Sequence, residues 1–169
     1  MMRSKKIILL LLLTTSCSFF ERKSIYNTQL DFEPQTQQEI SALLTIEEGV
    51  LALSEKNILN AKKNFENAIV IDRKNPYSYF FLGVIAIREE NPQKALGYFQ
   101  RTLSLLQNKD FWLAQTYKYL GISNYILEQN KTAQSFFIKS QTLNSEDKEV
   151  EEYLKLLLDS SPGSSSGSE

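Results

Sequence analysis

The chain of 169 residues contains no histidine and a single cysteine. The missing histidine removes the commonest general base and the commonest metal ligand together. Ser–His and Cys–His nucleophile pairs go with it. One cysteine makes neither an intramolecular disulfide nor a thiolate cluster. Positive charge is not in excess either: 19 basic residues face 20 acidic ones. If the N-terminal segment carrying Arg3, Lys5 and Lys6 is removed, 16 basic residues remain against the same 20, a net charge of −4. That balance argues against nucleic acid as a partner. Glycine-rich phosphate loops are missing too, since Gly163 and Gly167 lie in a Ser-rich terminus with no helix after them. Adjacent glutamates at 47/48, 89/90 and 151/152 would point about 100° apart on a helix, so each pair reads as a solvated face. No catalytic site, metal site or cofactor is expected, and the chain reads as a non-enzyme.

Glycine is scarce, and its placement is informative. Of six glycines, four precede the tail, at 49, 83, 97 and 121. Three of these head one recurring pattern: Gly49–Ala61–Phe65, Gly83–Ala95–Phe99 and Gly121–Ala133–Phe137, offset by 34 and then 38 positions. A glycine inside a helix costs roughly 1 kcal/mol relative to alanine, so it needs a structural reason. The expectation is that the missing side chain lets two helix backbones approach, with the phenylalanine closing the wedge.

Helix signals fit two helices per unit. Thr36-x-x-Glu39 is a capping box opening a helix to about Ser54. Asn57 or Asn60 starts its partner, which ends near Asp72. Asn75-Pro76 and Asn91-Pro92 each place an N-cap before a first-turn proline. Asn108-Lys109-Asp110 holds the extra residues before the third copy, whose helices run from Phe111–Trp112 and over about Lys131–Asn144. A last helix over Glu146–Asp159 carries Val150, Tyr153, Leu154, Leu157 and Leu158 on one stripe with a polar outer face, as an end cap requires.

A 34-residue helix–turn–helix period with aromatic, Leu-Gly, Ala and Phe positions resembles the tetratricopeptide repeat (TPR) family. Copy two keeps Tyr79, Leu82, Gly83, Ala86, Ala95 and Phe99, and copy three Tyr117, Leu120, Gly121, Ala133 and Phe137. Copy one keeps Gly49, Ala52, Ala61, Phe65 and Ala68 but has Thr45 and Glu48 at normally apolar places, and the end-of-repeat proline is missing throughout. The resemblance implies an all-α fold: a right-handed α-solenoid of about three repeats plus a C-terminal capping helix, over residues 36–159. It also implies that the first helices line a concave groove. On that face stand Leu43, Ile46, Val50 and Leu53, then Tyr77, Phe80, Val84 and Ile87, then Gln115, Lys118, Ile122 and Tyr125. Ten of these twelve are apolar or aromatic, which suits an apolar protein or peptide segment better than a terminal carboxylate. Filling of the groove by the protein's own aromatics or by a second copy is the competing reading.

The N-terminus carries its own signal. Three positive charges by Lys6, an apolar run Ile7–Leu13 and Thr14-Thr15-Ser16-Cys17 have the order of a secretory signal peptide over 1–16. Seven apolar residues are too few to cross about 30 Å of hydrocarbon. Small residues before Cys17 resemble the bacterial lipoprotein signal, with Thr14 where Leu is usual. The resemblance implies acylation of Cys17 by palmitate-like chains, a membrane anchor and a place in the cell envelope, periplasmic or at the outer membrane. Plain cleavage leaving a free thiol is the alternative. Residues 17–35 then read as a tether without helical period, bearing Phe19, Phe20, Tyr26, Leu30 and Phe32, of which the later ones cover the domain's open end. Residues 160–169 read as a disordered tail. The leading expectation is a non-catalytic, lipid-anchored protein-binding module of the envelope that binds its partner through the apolar groove, with envelope assembly as its setting. The other is a carrier holding a small hydrophobic ligand in a pocket closed by the C-terminal helix. Sequence leaves the oligomeric state open.

Overall fold

The computed structural model describes Leu30 and residues 34–106 and 110–159. The signal peptide, Cys17, most of the tether and the tail lie outside the described residues, as do positions 107–109. Among the described residues the regular elements are seven α-helices: α1 Gln37–Ser54, α2 Ile58–Ile71, α3 Pro76–Arg88, α4 Pro92–Leu105, α5 Asp110–Ile126, α6 Asn130–Leu143 and α7 Lys148–Asp159. The chain divides into two compact units between Arg73 and Lys74. The first holds the hairpin α1–α2, the second the hairpins α3–α4 and α5–α6 with α7 packed on α6.

The caps are those the sequence announces. Thr36 Oγ1 accepts from the Glu39 amide while Glu39 accepts from the Thr36 amide, closing the capping box. Asn57, Asn75 and Asn91 each accept a first-turn amide, at 3.1, 3.0 and 3.1 Å. Helix α7 starts two residues later than the acidic run suggests. Asp147 takes the cap, accepting from the Glu149 and Val150 amides at 3.1 and 3.3 Å, which leaves Glu146 outside the helix.

Every hairpin turns in the same way. Lys56, Glu90 and Glu128, spaced by the repeat, adopt positive φ of 62°, 56° and 59°. The amide after each reaches back to the carbonyl of Ala52, Ala86 or Asn124 at 2.8–2.9 Å. This is the left-handed helix stop usually given to glycine, built here from long charged residues.

The repeat glycines have a different reason from the one the spacing suggests. A Cβ on Gly49, Gly83 or Gly121 would stand 2.6 Å from a ring carbon of Phe65, Phe99 or Phe137, and the nearest atoms are all ring atoms of that phenylalanine. The glycine makes room for a ring, not for a second backbone. Each ring is fully buried, as are Ala61, Ala95 and Ala133 one turn earlier. In the first unit, Gln38 Nε2 also donates to the Ile71 carbonyl, tying the start of α1 to the end of α2. In the second, Ser140 Oγ on α6 donates to the Ala114 carbonyl on α5 at 2.8 Å.

Candidate functional site

Helix α3 is apolar all round, and from Pro76 to Ile87 only Tyr79 is not buried. A helix of that composition belongs inside a protein. Phe80, expected on an open groove, is enclosed by rings: Phe81 at 5.5 Å, Phe99 of α4 at 5.8 Å, and Trp112 and Tyr119 of α5 at 5.1 and 5.6 Å. Tyr77 meets Trp112 edge-on at 4.9 Å, and Tyr119 stacks on Phe99 at 5.5 Å. These contacts join α3, α4 and α5 through one aromatic cluster. Phe80 is its hub, and Trp112, which the repeat pattern does not single out, meets three of its α3 rings.

The other residues assigned to the groove are mostly enclosed too. Ile46 and Leu53 in the first unit are buried and Val50 is half-buried. Tyr77, Val84, Ile87 and Ile122 in the second are buried, and Tyr125 is half-buried. Tyr125 meets Tyr153 of α7 at 5.3 Å, and Tyr153 lies nearly parallel to the Phe137 ring at 4.9 Å. Burial, followed by the nearby charge of Glu149, pushes the Tyr153 phenol far above its ordinary value.

Two polar residues interrupt this apolar surface, both on α5. Lys118 is 7% exposed, and its ammonium lies 2.9 Å from Asp147 and 3.2 Å from Glu149. Burial works to lower its pKa, but the two carboxylates outweigh it, so the value rises above that of an ordinary lysine. The lysine therefore clips α5 to the first turn of α7. Neither carboxylate could be found from spacing, since both lie about thirty residues away on another helix. One turn earlier, Gln115 is 3% exposed, and its Oε1 has no hydrogen-bond partner among the described residues. A buried acceptor left unpaired costs about 1–3 kcal/mol.

Outside the core, Arg101 sits over the Tyr79 ring at 5.6 Å, and Lys139 over the Tyr117 ring at the same distance. These are equivalent positions in successive repeats, and copy one has Thr45 and Asn67 there. Among the described residues no group of three or more acidic or cysteine side chains could hold a metal ion, and no helix is long and apolar enough to cross a membrane.

No protein-family model matches the chain, and no curated protein matches it by sequence. Solved structures do. The first TPR domain of Spaghetti (RPAP3), bound to the HSP90 peptide SRMEEVD, is 16% identical, with a TM-score of 0.65 over 72% of this chain and 93% of that one. The TPR domain of Arabidopsis OM64 is 18% identical, with a TM-score of 0.66 over 73% of this chain and 99% of that one. The Cut9–Hcn1 assembly of the APC/C contains a chain 24% identical, with a TM-score of 0.67 over 72% of this chain and 24% of that one. At such identities the likeness establishes the fold: an all-helical solenoid of tetratricopeptide type.

Proposed function

We propose that this chain is a non-catalytic protein-binding module, held in the bacterial cell envelope by a lipid on Cys17. The fold supports the binding half of this reading, because stacked helical hairpins expose extended surfaces and a similar structure was solved with a peptide bound. The charged, apolar, small-residue, cysteine order of the first 17 residues supports the envelope half.

One observation carries the binding reading. Gln115 Oε1 is a buried acceptor with no donor among the described residues, on the helix face that also bears Lys118. A backbone N–H from a partner segment would satisfy it once the Gln115 side chain turns outward from its buried position, beside the half-buried Tyr125 on the same helix.

Chain immobilised after expression as Cys17→Ser, incubated with envelope extract, tests this. Capture of a partner that binds Gln115→Met about tenfold more weakly, with helicity intact, is the expected result, since one hydrogen bond contributes roughly 1–1.5 kcal/mol. Equal capture by both forms would remove Gln115 from the site, and no capture at all would end the binding reading. Separately, a fatty-acid analogue should label the full chain in bacteria and leave Cys17→Ser unlabelled. An unlabelled wild type would remove the anchor.

A further inference from the structure

Helix α1 carries three large apolar side chains in the open: Ile40, Leu44 and Leu51 are 37%, 56% and 59% exposed. They form one stripe, on the side opposite Ala42, Ile46, Gly49 and Leu53, which are buried. The repeat spacing shows what this stripe is. Seventy-two positions on, the same places in α5 are Trp112, Thr116 and Ser123, which are 1%, 0% and 0% exposed. Helix α5 packs there against the preceding hairpin: it contacts α4, and Trp112 meets Tyr77, Phe80 and Phe81 of α3. The stripe on α1 is therefore a stacking face with no hairpin before it among the described residues. Such an end is polar when water covers it, yet here it carries Ile and two Leu. Leu59 and Val70 on α2 are also exposed, but the equivalents Gln93, Ser104, Lys131 and Thr142 are exposed in the other copies, so those are ordinary solvent positions.

We propose that residues 19–30 of the same chain dock on the α1 stripe. Their place in the chain favours it. Leu30 is half-buried, and α1 begins at its cap Thr36. A segment returning along α1 has six residues in which to reverse, a common length for a connection between helices. The dimensions agree as well. Ile40 to Leu51 spans about 16 Å along α1, and the ten steps from Leu30 back to Phe20 reach at most about 36 Å when extended, so the segment is long enough to cover the stripe.

The chemistry points the same way. The segment supplies Phe19, Phe20, Ile25, Tyr26 and Leu30, and its cations are Arg22 and Lys23. Helix α1 contains no Lys or Arg; the exposed Glu47 stands on the stripe between Leu44 and Leu51, and Glu48 flanks it. A second copy meets the same face poorly. Two α1 helices packed antiparallel would bring their glutamates together near the two-fold axis with no cation on either. Tethering adds a further advantage, since a short linker gives the chain's own segment an effective concentration of about millimolar.

The full chain carrying Leu44→p-benzoylphenylalanine, irradiated at micromolar concentration, tests the proposal. The expected product is an intrachain adduct whose second site maps to residues 19–30. The charge-reversed form Arg22→Glu with Lys23→Glu should yield it several-fold less, and Val70→p-benzoylphenylalanine should not yield it. An adduct between two chains would assign the face to a second copy and overturn the proposal. Absence of any adduct to residues 19–30 would overturn it as well.

Discussion

Phe99 Cε1 lies 2.6 Å from where a Cβ on Gly83 would stand. The ring has nowhere to withdraw, because it is fully buried with Phe80 at 5.8 Å and Tyr119 stacked at 5.5 Å. Gly83→Ala should therefore destabilise the chain by about 1–3 kcal/mol despite alanine's better helix propensity. Gly97, on exposed α4 surface, has nothing within 4 Å of its would-be Cβ. Gly97→Ala should stabilise by up to about 1 kcal/mol. Urea melts of the two variants check the opposite signs, and stabilisation of both would mean that Phe99 moves freely.

Phe80 should behave as core. Phe80→Ala removes the ring at the centre of four others and should cost about 3–5 kcal/mol. A surface position usually stays within about 0.5 kcal/mol. An unchanged denaturation midpoint would place Phe80 on an open face after all.

Alkaline pH should weaken the attachment of α7. Lys118 has a raised pKa in the fold, so between its ordinary 10.5 and the raised value the folded state holds a proton that the unfolded state has lost. Tyr153 acts in the same sense, since the unfolded phenol ionises near 10.0 while the buried one stays neutral. In both cases the folded state binds more protons, so stability falls as pH rises past about 10. Urea midpoints between pH 8 and 11 should show this fall, and Lys118→Met with Tyr153→Phe should flatten it. Parallel falls in the wild type and the double variant would show that other groups govern the alkaline limit.

Helix α6 lacks the cap that its counterparts have. Gln129 occupies the place of Asn57 and Asn91, with similar backbone angles, but its side chain makes no cap bond. Gln129→Asn should supply that bond and stabilise by about 0.5–2 kcal/mol. A melting temperature at or below that of the wild type would refute the expectation.

What the sequence could show depended on how local each feature is. Gly–Ala–Phe spacing and the Asn-Pro pairs operate within one hairpin, so the helices and their caps were legible residue by residue. Facing was legible where a helix has a wet side, as for the buried Val150, Tyr153 and Leu157 of α7, although Leu158, expected on the same stripe, is 60% exposed. It was not legible in α3, where a helix buried all round leaves no polar face to orient it. Lys118 failed for a related reason: a lysine on a predicted groove looks available until the Asp147 and Glu149 carboxylates of another helix are placed beside it. The left-handed stops at Lys56, Glu90 and Glu128 gave no sign, because none of them is Gly or Asn.

The Gly–Phe pairs 49–65, 83–99 and 121–137 each join residues sixteen positions apart. Closing a loop of that length takes well under a microsecond to about that order, and a chain whose defining contacts are so short in sequence has a low contact order. Three near-equivalent places to begin are then available to a refolding chain, with no single obligatory nucleus. Slowing any one of them would divert the folding flux to the other two.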